Sequence, residues 1–101
     1  MPRVKCEVVR WVSNEPQPGW VEGKLVDAQG ATWRFFDKPP IFTSKAIDAS
    51  TELPVDGKLR CRIVDEHVSG GRAHVEVETI DVDADDGQNH FILDAAAVER
   101  E

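Results

Sequence analysis

The sequence lacks any run of about 18 consecutive apolar residues, the shortest length that spans a membrane as a helix. Its first residues, Met-Pro-Arg-Val-Lys, are not followed by the apolar segment of a secretory signal peptide. Only two cysteines occur, Cys6 and Cys61, and each alternates with apolar residues as buried free thiols do. We therefore expect a protein of the reducing cytoplasm with no membrane partner. Whether the two cysteines meet remains open.

Signatures of catalysis and of metal binding are also missing. The sequence has no H-x-H, C-x-x-C or H-E-x-x-H spacing, no G-x-S-x-G and no phosphate-binding glycine loop. The acidic stretch from Asp81 to Gly87 resembles the start of a calcium loop. An EF-hand needs glycine at position six and glutamate at position twelve, where this chain has Asp86 and Ile92. The sequence predicts no catalytic residue, no cofactor and no metal ligand, and leaves open whether Asp81–Asp86 binds a cation.

Basic residues are scarce in the second part of the chain. Met1–Arg62 carries ten Lys and Arg against eight Asp and Glu, whereas Ile63–Glu101 carries two against eleven. The net charge of −7 disfavours nucleic acid and anionic membranes, because phosphate repels an acidic surface. A local basic strip on the first part of the chain remains compatible with this balance.

Alternating apolar and polar residues, separated by turn residues, indicate β-strands throughout the 101 residues. The clearest pair flanks Asp27-Ala28-Gln29-Gly30, where Asp opens and Gly closes a type I turn. Short helical turns are expected near residues 44–49, where Ser44 could cap a helix, and at the C-terminus. We predict a single domain, residues 1–101, with an all-β fold: a small antiparallel barrel or barrel-like sandwich. The predicted strands are Arg3–Val12, Trp20–Val26, Ala31–Lys38, Lys58–Asp65, Arg72–Val82 and a short strand around Phe91 and Leu93.

The two faces of the hairpin differ in chemistry. Alternation turns Val21, Leu25, Trp33 and Phe35 toward the core. In the first strand Val9 and Trp11 break the alternation, so either a bulge resets the register or an apolar patch lies outside. The opposite face gathers the predicted binding residues Trp11, Trp20, Lys24, Arg34 and Phe36.

Aromatic and basic residues on one barrel face are compatible with two kinds of partner. Trp and Arg are enriched where proteins bind one another. The same residue types stack and hold nucleic-acid bases in oligonucleotide-binding barrels. We interpret the chain as a non-catalytic module that binds another protein, as a monomer or weak homodimer. An oligonucleotide- or small-ligand-binding barrel is the alternative, and an enzyme whose pocket is invisible in the sequence is the second.

A longer pattern of strand and turn residues covers about half of the chain. It resembles short bacterial proteins of no assigned activity, and that resemblance implies a β fold and a bacterial, cytosolic setting but no catalytic residue. The residues that carry the resemblance are Trp20-Val21-Glu22, Leu25-Val26-Asp27-Ala28, Gly30, Trp33-Arg34-Phe35, Asp37-Lys38, Pro40, Phe42 and Leu59-Arg60-Cys61.

Overall fold

A computed structural model describes residues 1–100 as seven antiparallel strands with one short helix and one 3-10 turn. The strands form one sheet curled into a half-barrel, so the all-β prediction is confirmed. The 3-10 turn at Ala95–Ala97 confirms the helical turn expected near the C-terminus. The strands are β1 (Arg3–Ser13), β2 (Trp20–Val26), β3 (Thr32–Asp37), β4 (Val55–Ser69), β5 (Arg72–Thr79), β6 (His90–Asp94) and β7 (Val98–Glu99), and the helix is α1 (Pro39–Phe42).

The strand order is β3-β2-β1-β4-β5-β6, and β7 pairs with β1. Three strands in sequence followed by a fourth that returns beside the first make a Greek key. β4 is long enough to bend, so Val55–Arg60 pairs with β1 and Cys61–Ser69 pairs with β5. At the open side, the Asp85 amide donates to the Arg34 carbonyl over 2.8 Å, and the Ala28 amide donates to the Ile92 carbonyl over 2.9 Å. These bonds link β3 and the turn before it to β6 and the loop before β6.

The turn at Asp27 has the geometry predicted from its residues. The Gly30 amide donates to the Asp27 carbonyl over 3.0 Å, and Gly30 adopts a positive φ of 84°. The Asp27 carboxylate accepts the amides of Gln29 and Ala31 and the indole N–H of Trp33, each over 2.9 Å. One aspartate therefore fixes the turn and orients the first aromatic side chain of β3.

The core lies inside the curled sheet and is built from the inward residues of the strands. Leu25 and Phe35 are buried as predicted, and Trp33 is half-buried against them. The Phe91 ring contacts both aromatic rings edge-on, with centroids 5.3 Å from Trp33 and 5.7 Å from Phe35. Edge-to-face pairs of this kind add packing energy beyond the area they bury.

The helix lies earlier in the chain than predicted. Residues 44–49 contain no helix; α1 begins at Pro39, where Pro-Pro was expected only to end the strand. Proline is tolerated in the first turn of a helix because the amides there have no intrahelical partner. The single turn places Phe42 in the core with an exposed fraction of 1%.

Two glycines make room for the Phe42 ring and backbone. A Cβ atom built on Gly23 of β2 would lie 2.4 Å from Phe42 Cε1, and one on Gly57 of β4 would lie 2.9 Å from the Phe42 carbonyl oxygen. Neither position leaves space for a side chain. Phe42 therefore closes the interior between two strands that are far apart in the sequence.

We predict that Gly23→Ala lowers the free energy of unfolding by about 1–3 kcal/mol, the usual cost of overpacking a well-filled core. Urea unfolding followed by tryptophan fluorescence measures the change. Combining Gly23→Ala with Phe42→Leu should cost less than the two single losses together, because the smaller side chain frees space for the new methyl group. If the double variant loses the sum of the two single losses in free energy of unfolding, the two side chains do not contact each other.

We also predict a pH-dependent loss of stability for Asp27→Asn. Burial raises the pKa of Asp27, but the hydrogen bonds from Trp33, Ala31, Gln29 and Gly30 outweigh burial and bring the pKa below its ordinary value of 3.8. A carboxylate whose pKa is lower in the folded state stabilises the protein at pH values above its ordinary pKa. That contribution is lost as the pH falls through the folded-state pKa.

The variant should be about 1 kcal/mol less stable than the parent protein at neutral pH. The difference in free energy of unfolding between the variant and the parent protein should become smaller below pH 3.8, as measured by urea unfolding at a series of pH values. Asp83→Asn is the control, because Asp83 is exposed and its carboxylate has no hydrogen bond among residues 1–100. A difference in free energy of unfolding that stays constant across pH would show that the Asp27 charge contributes nothing to stability.

Candidate binding face

The outward side of β2 and β3 presents a small set of aromatic and charged side chains next to one another. Lys24 lies directly across from Arg34, and Glu22 lies across from Phe36. On its other side Glu22 lies across from Arg10 of β1. We call this surface the outer face and define it by Arg10, Trp20, Glu22, Lys24, Arg34 and Phe36.

Glu22 is the centre of the outer face. Its side chain is only 8% exposed, although it lies on the solvent side of the sheet. The Arg10 Nε atom donates to its Oε1 over 2.8 Å, and Arg34 Nε lies 3.5 Å from Oε2. The two arginine side chains remain 58% and 62% exposed. The carboxylate therefore hydrogen-bonds the Arg10 guanidinium and forms a longer ion pair with Arg34, while both guanidinium groups remain accessible to a partner.

Four of the five predicted binding residues belong to the outer face. Arg34 is exposed, and Trp20, Lys24 and Phe36 are each half-buried. Their cross-strand positions follow from the period-two alternation on which the prediction rests. The aromatic rings consequently lie beside basic groups and are partly open to solvent.

Trp11 lies on the core side of the sheet, which corrects its predicted position. It pairs with the buried Val21, packs against the core and donates its indole N–H to Asn14 Oδ1 over 2.8 Å. The reason is a bulge: the register shifts between Val8 and Arg10, so one extra residue reverses the facing of those that follow.

The same bulge turns Arg10 outward, so Arg10 belongs to the outer face although it was not predicted there from the sequence. The sequence feature that could have identified Arg10 is the broken alternation at Val9 and Trp11, because it indicates either a bulge or an outer apolar patch. A second shift between Trp11 and Ser13 leaves Val12 exposed.

A separate cleft of about 590 Å³ opens between residues 40–45 and the β1–β4 ladder. Two like-charged pairs mark this ladder, with Arg3 across from Arg60 and Lys5 across from Lys58. Arg60 binds both carboxylate oxygens of Asp81, at 2.8 Å and 2.5 Å. Those hydrogen bonds raise the pKa of Arg60 and, against a smaller effect of burial, lower that of Asp81. Both groups are therefore charged at neutral pH.

Cysteine chemistry has little support in the described part of the chain. Both thiols are free and buried. Burial, reinforced by the Glu7 charge, raises the pKa of Cys6 to about 12, and burial also raises that of Cys61. A thiol with a raised pKa is a weak nucleophile at neutral pH. No group of three His, Cys, Asp or Glu side chains among residues 1–100 is arranged to hold a metal ion.

Comparisons with known proteins found no match for this chain. No protein-family model matches the chain. No curated protein and no solved structure matches it either. Within residues 1–100, no helix has the length and apolar character needed to cross a membrane.

We predict that Arg10 and Glu22 stabilise the fold jointly. A double-mutant cycle with Arg10→Gln and Glu22→Gln should give a coupling energy of about 0.5–1.5 kcal/mol, since the pair is hydrogen-bonded but half open to water. The matched cycle of Arg34→Gln with Glu22→Gln should give a smaller value, because its N–O distance is 3.5 Å rather than 2.8 Å. Urea unfolding provides all the energies. Equal couplings would contradict the asymmetry of the two contacts.

Proposed function

We propose that the chain is a non-catalytic binding module whose outer face contacts another protein. The observation that carries the proposal is the buried Glu22 carboxylate, which hydrogen-bonds Arg10 and pairs with Arg34 on the face that also carries Trp20 and Phe36. Aromatic and arginine side chains supply most of the binding energy at protein interfaces. Side chains already held in place lose less conformational entropy when a partner binds.

Charge placement supports a protein partner over an oligonucleotide. An oligonucleotide groove would need Lys24 and Arg34 to converge with Arg60 and Arg62. Lys24 aligns through Glu7 with Asp56, and Arg60 lies four residues farther along β4, about 13 Å at the usual rise of a strand. Arg62 is also engaged by Glu78. Arg60 and Arg62 therefore do not converge with Lys24 and Arg34 on one groove, although Lys5 and Lys58 lie between the two regions.

The setting in this proposal is a bacterial cytoplasm, with the chain acting as a monomer or weak homodimer. The enzyme alternative has less support. Thr43 and Ser44 supply the only hydroxyl groups among the residues lining the cleft, and no histidine or cysteine accompanies them as a base or thiolate. The outer face supplies contacts rather than reactive groups.

The test is co-purification from the native cell with the parent chain and with Phe36→Ser. The variant should lose one specific protein while keeping the fold, because Phe36 is half-buried on the outer side of β3. Val68→Ser is the matched control, since it removes an exposed apolar side chain at the far end of β4. The protein lost by Phe36→Ser and retained by Val68→Ser should then bind the purified parent chain directly, and Trp20→Ala should weaken that binding at least about tenfold.

Three results would reject the proposal. One is an identical set of co-purifying proteins for all variants, and another is the absence of direct binding by the purified candidate. The third is salt-sensitive binding of single-stranded oligonucleotides that Phe36→Ser abolishes, which would favour the nucleic-acid alternative.

A further inference from the structure

The β1–β4 ladder holds an arrangement that costs stability. Arg3 and Arg60 are directly opposite each other, and so are Lys5 and Lys58. All four side chains are exposed on the same side of the sheet. Like charges directly across a ladder repel one another and destabilise the pairing. The four cations form a local basic cluster in a chain whose net charge is −7.

Two of these cations have acidic partners within the described residues. Asp81 holds Arg60, and Glu99 binds Lys58 over 2.9 Å. Lys45 forms no ion pair with any of residues 1–100, and Arg3 and Lys5 form no direct one. Glu99 does lie across from Arg3 on the β7 side, and the Lys58 hydrogen bond, helped by the charges of Lys5 and Arg3, lowers the pKa of Glu99. Arg60 uses two of its five N–H groups on Asp81, which orients the guanidinium and leaves three for another acceptor.

The cleft beside the ladder brings four of these charges, all except Lys5, into one concave site. Arg3, Lys58 and Arg60 line one wall, and Lys45 belongs to the 40–45 segment of the other. Two carboxylates, Asp56 and Asp81, also line it, so the basic groups outnumber the acidic ones four to two. The volume of about 590 Å³ is within the range of small-molecule sites.

Apolar surface completes the cleft. Pro40 and Ile41 of α1 contribute to its wall next to the basic groups. Pro40 is exposed and Ile41 is half-buried, so both present carbon atoms to the cleft. An apolar wall next to several cations suits a ligand with one charged end and one flat or apolar end.

We infer that this cleft binds an organic phosphate of nucleotide size. The phosphate groups would accept hydrogen bonds from Arg3, Lys45 and the free N–H groups of Arg60, and the organic part would pack on Pro40 and Ile41. Arginine suits phosphate because its planar group donates two parallel hydrogen bonds. The inference is independent of the proposed protein partner, since no residue of the outer face lines the cleft.

Calorimetric titration of the full chain with ATP, at low ionic strength and without metal ions, tests the inference. Tripolyphosphate is the comparison probe, because it carries a similar charge without an organic part. ATP should bind in a one-to-one complex, and more tightly than tripolyphosphate. Added salt should weaken the binding, because the contacts are between charges.

Two pairs of variants locate the site. Arg3→Gln and Lys45→Gln should each weaken ATP binding about five- to tenfold, as the loss of a charge-assisted hydrogen bond does. Arg34→Gln and Lys24→Gln remove the same charges from the outer face and should change the affinity less than about twofold. All four side chains are exposed or half-exposed, so circular dichroism should show an unchanged fold.

Several results would overturn the inference. Absence of heat at millimolar ATP removes the site altogether. If all four variants weaken ATP binding equally, the affinity depends on the overall charge of the chain and not on the cleft. Tripolyphosphate binding as tightly as ATP would remove the role assigned to Pro40 and Ile41.

Discussion

The position of Phe42 constrains most of this fold. Its ring occupies the space that a Cβ atom on Gly23 would need, and its backbone carbonyl crowds Gly57 in the same way. β2 and β4 can therefore enclose the ring only where each lacks a side chain. Because α1 is a single turn that begins at Pro39, burying Phe42 also fixes where residues 43–45 leave the core. The cleft on the other side of that segment is thus a consequence of how the interior is filled.

The second constraint is the pair of bulges in β1. An extra residue at Val9 turns Trp11 inward and Arg10 outward, and another at Val12 restores the original facing near Trp20. A regular strand would have placed Trp11 outside and Arg10 inside. The bulge instead brings a guanidinium against Glu22, where its Nε donates over 2.8 Å. The charged centre of the outer face therefore depends on a local irregularity of the neighbouring strand.

The parts of the fold that could be predicted depend on residues close together in the chain. The Asp27–Gly30 turn was predictable because Asp and Gly each have a local conformational role there. The inward facing of Leu25 and Phe35 followed from simple alternation. The helix was misplaced because Pro-Pro ends a strand and also suits a helix start, and the sequence does not say which role applies. The cleft could not be predicted, because its walls come from β1, residues 40–45, β4 and Asp81.

The distribution of charge explains why overall acidity is a poor guide to either surface. Carboxylates of the acidic second part of the chain bind the basic side chains of β4, through Arg60 with Asp81, Arg62 with Glu78 and Lys58 with Glu99. Folding thus places the excess negative charge beside basic groups that need partners, and each exposed pair contributes only modestly to stability. Arg3 and Lys5 of β1 form no direct ion pair among residues 1–100, although Glu99 of β7 lies across from Arg3 and close enough to feel both positive charges. Within one Debye length, about 8–10 Å at ordinary salt, the potential at the cleft is therefore set mainly by the charged groups around it and only weakly by the net charge of the chain.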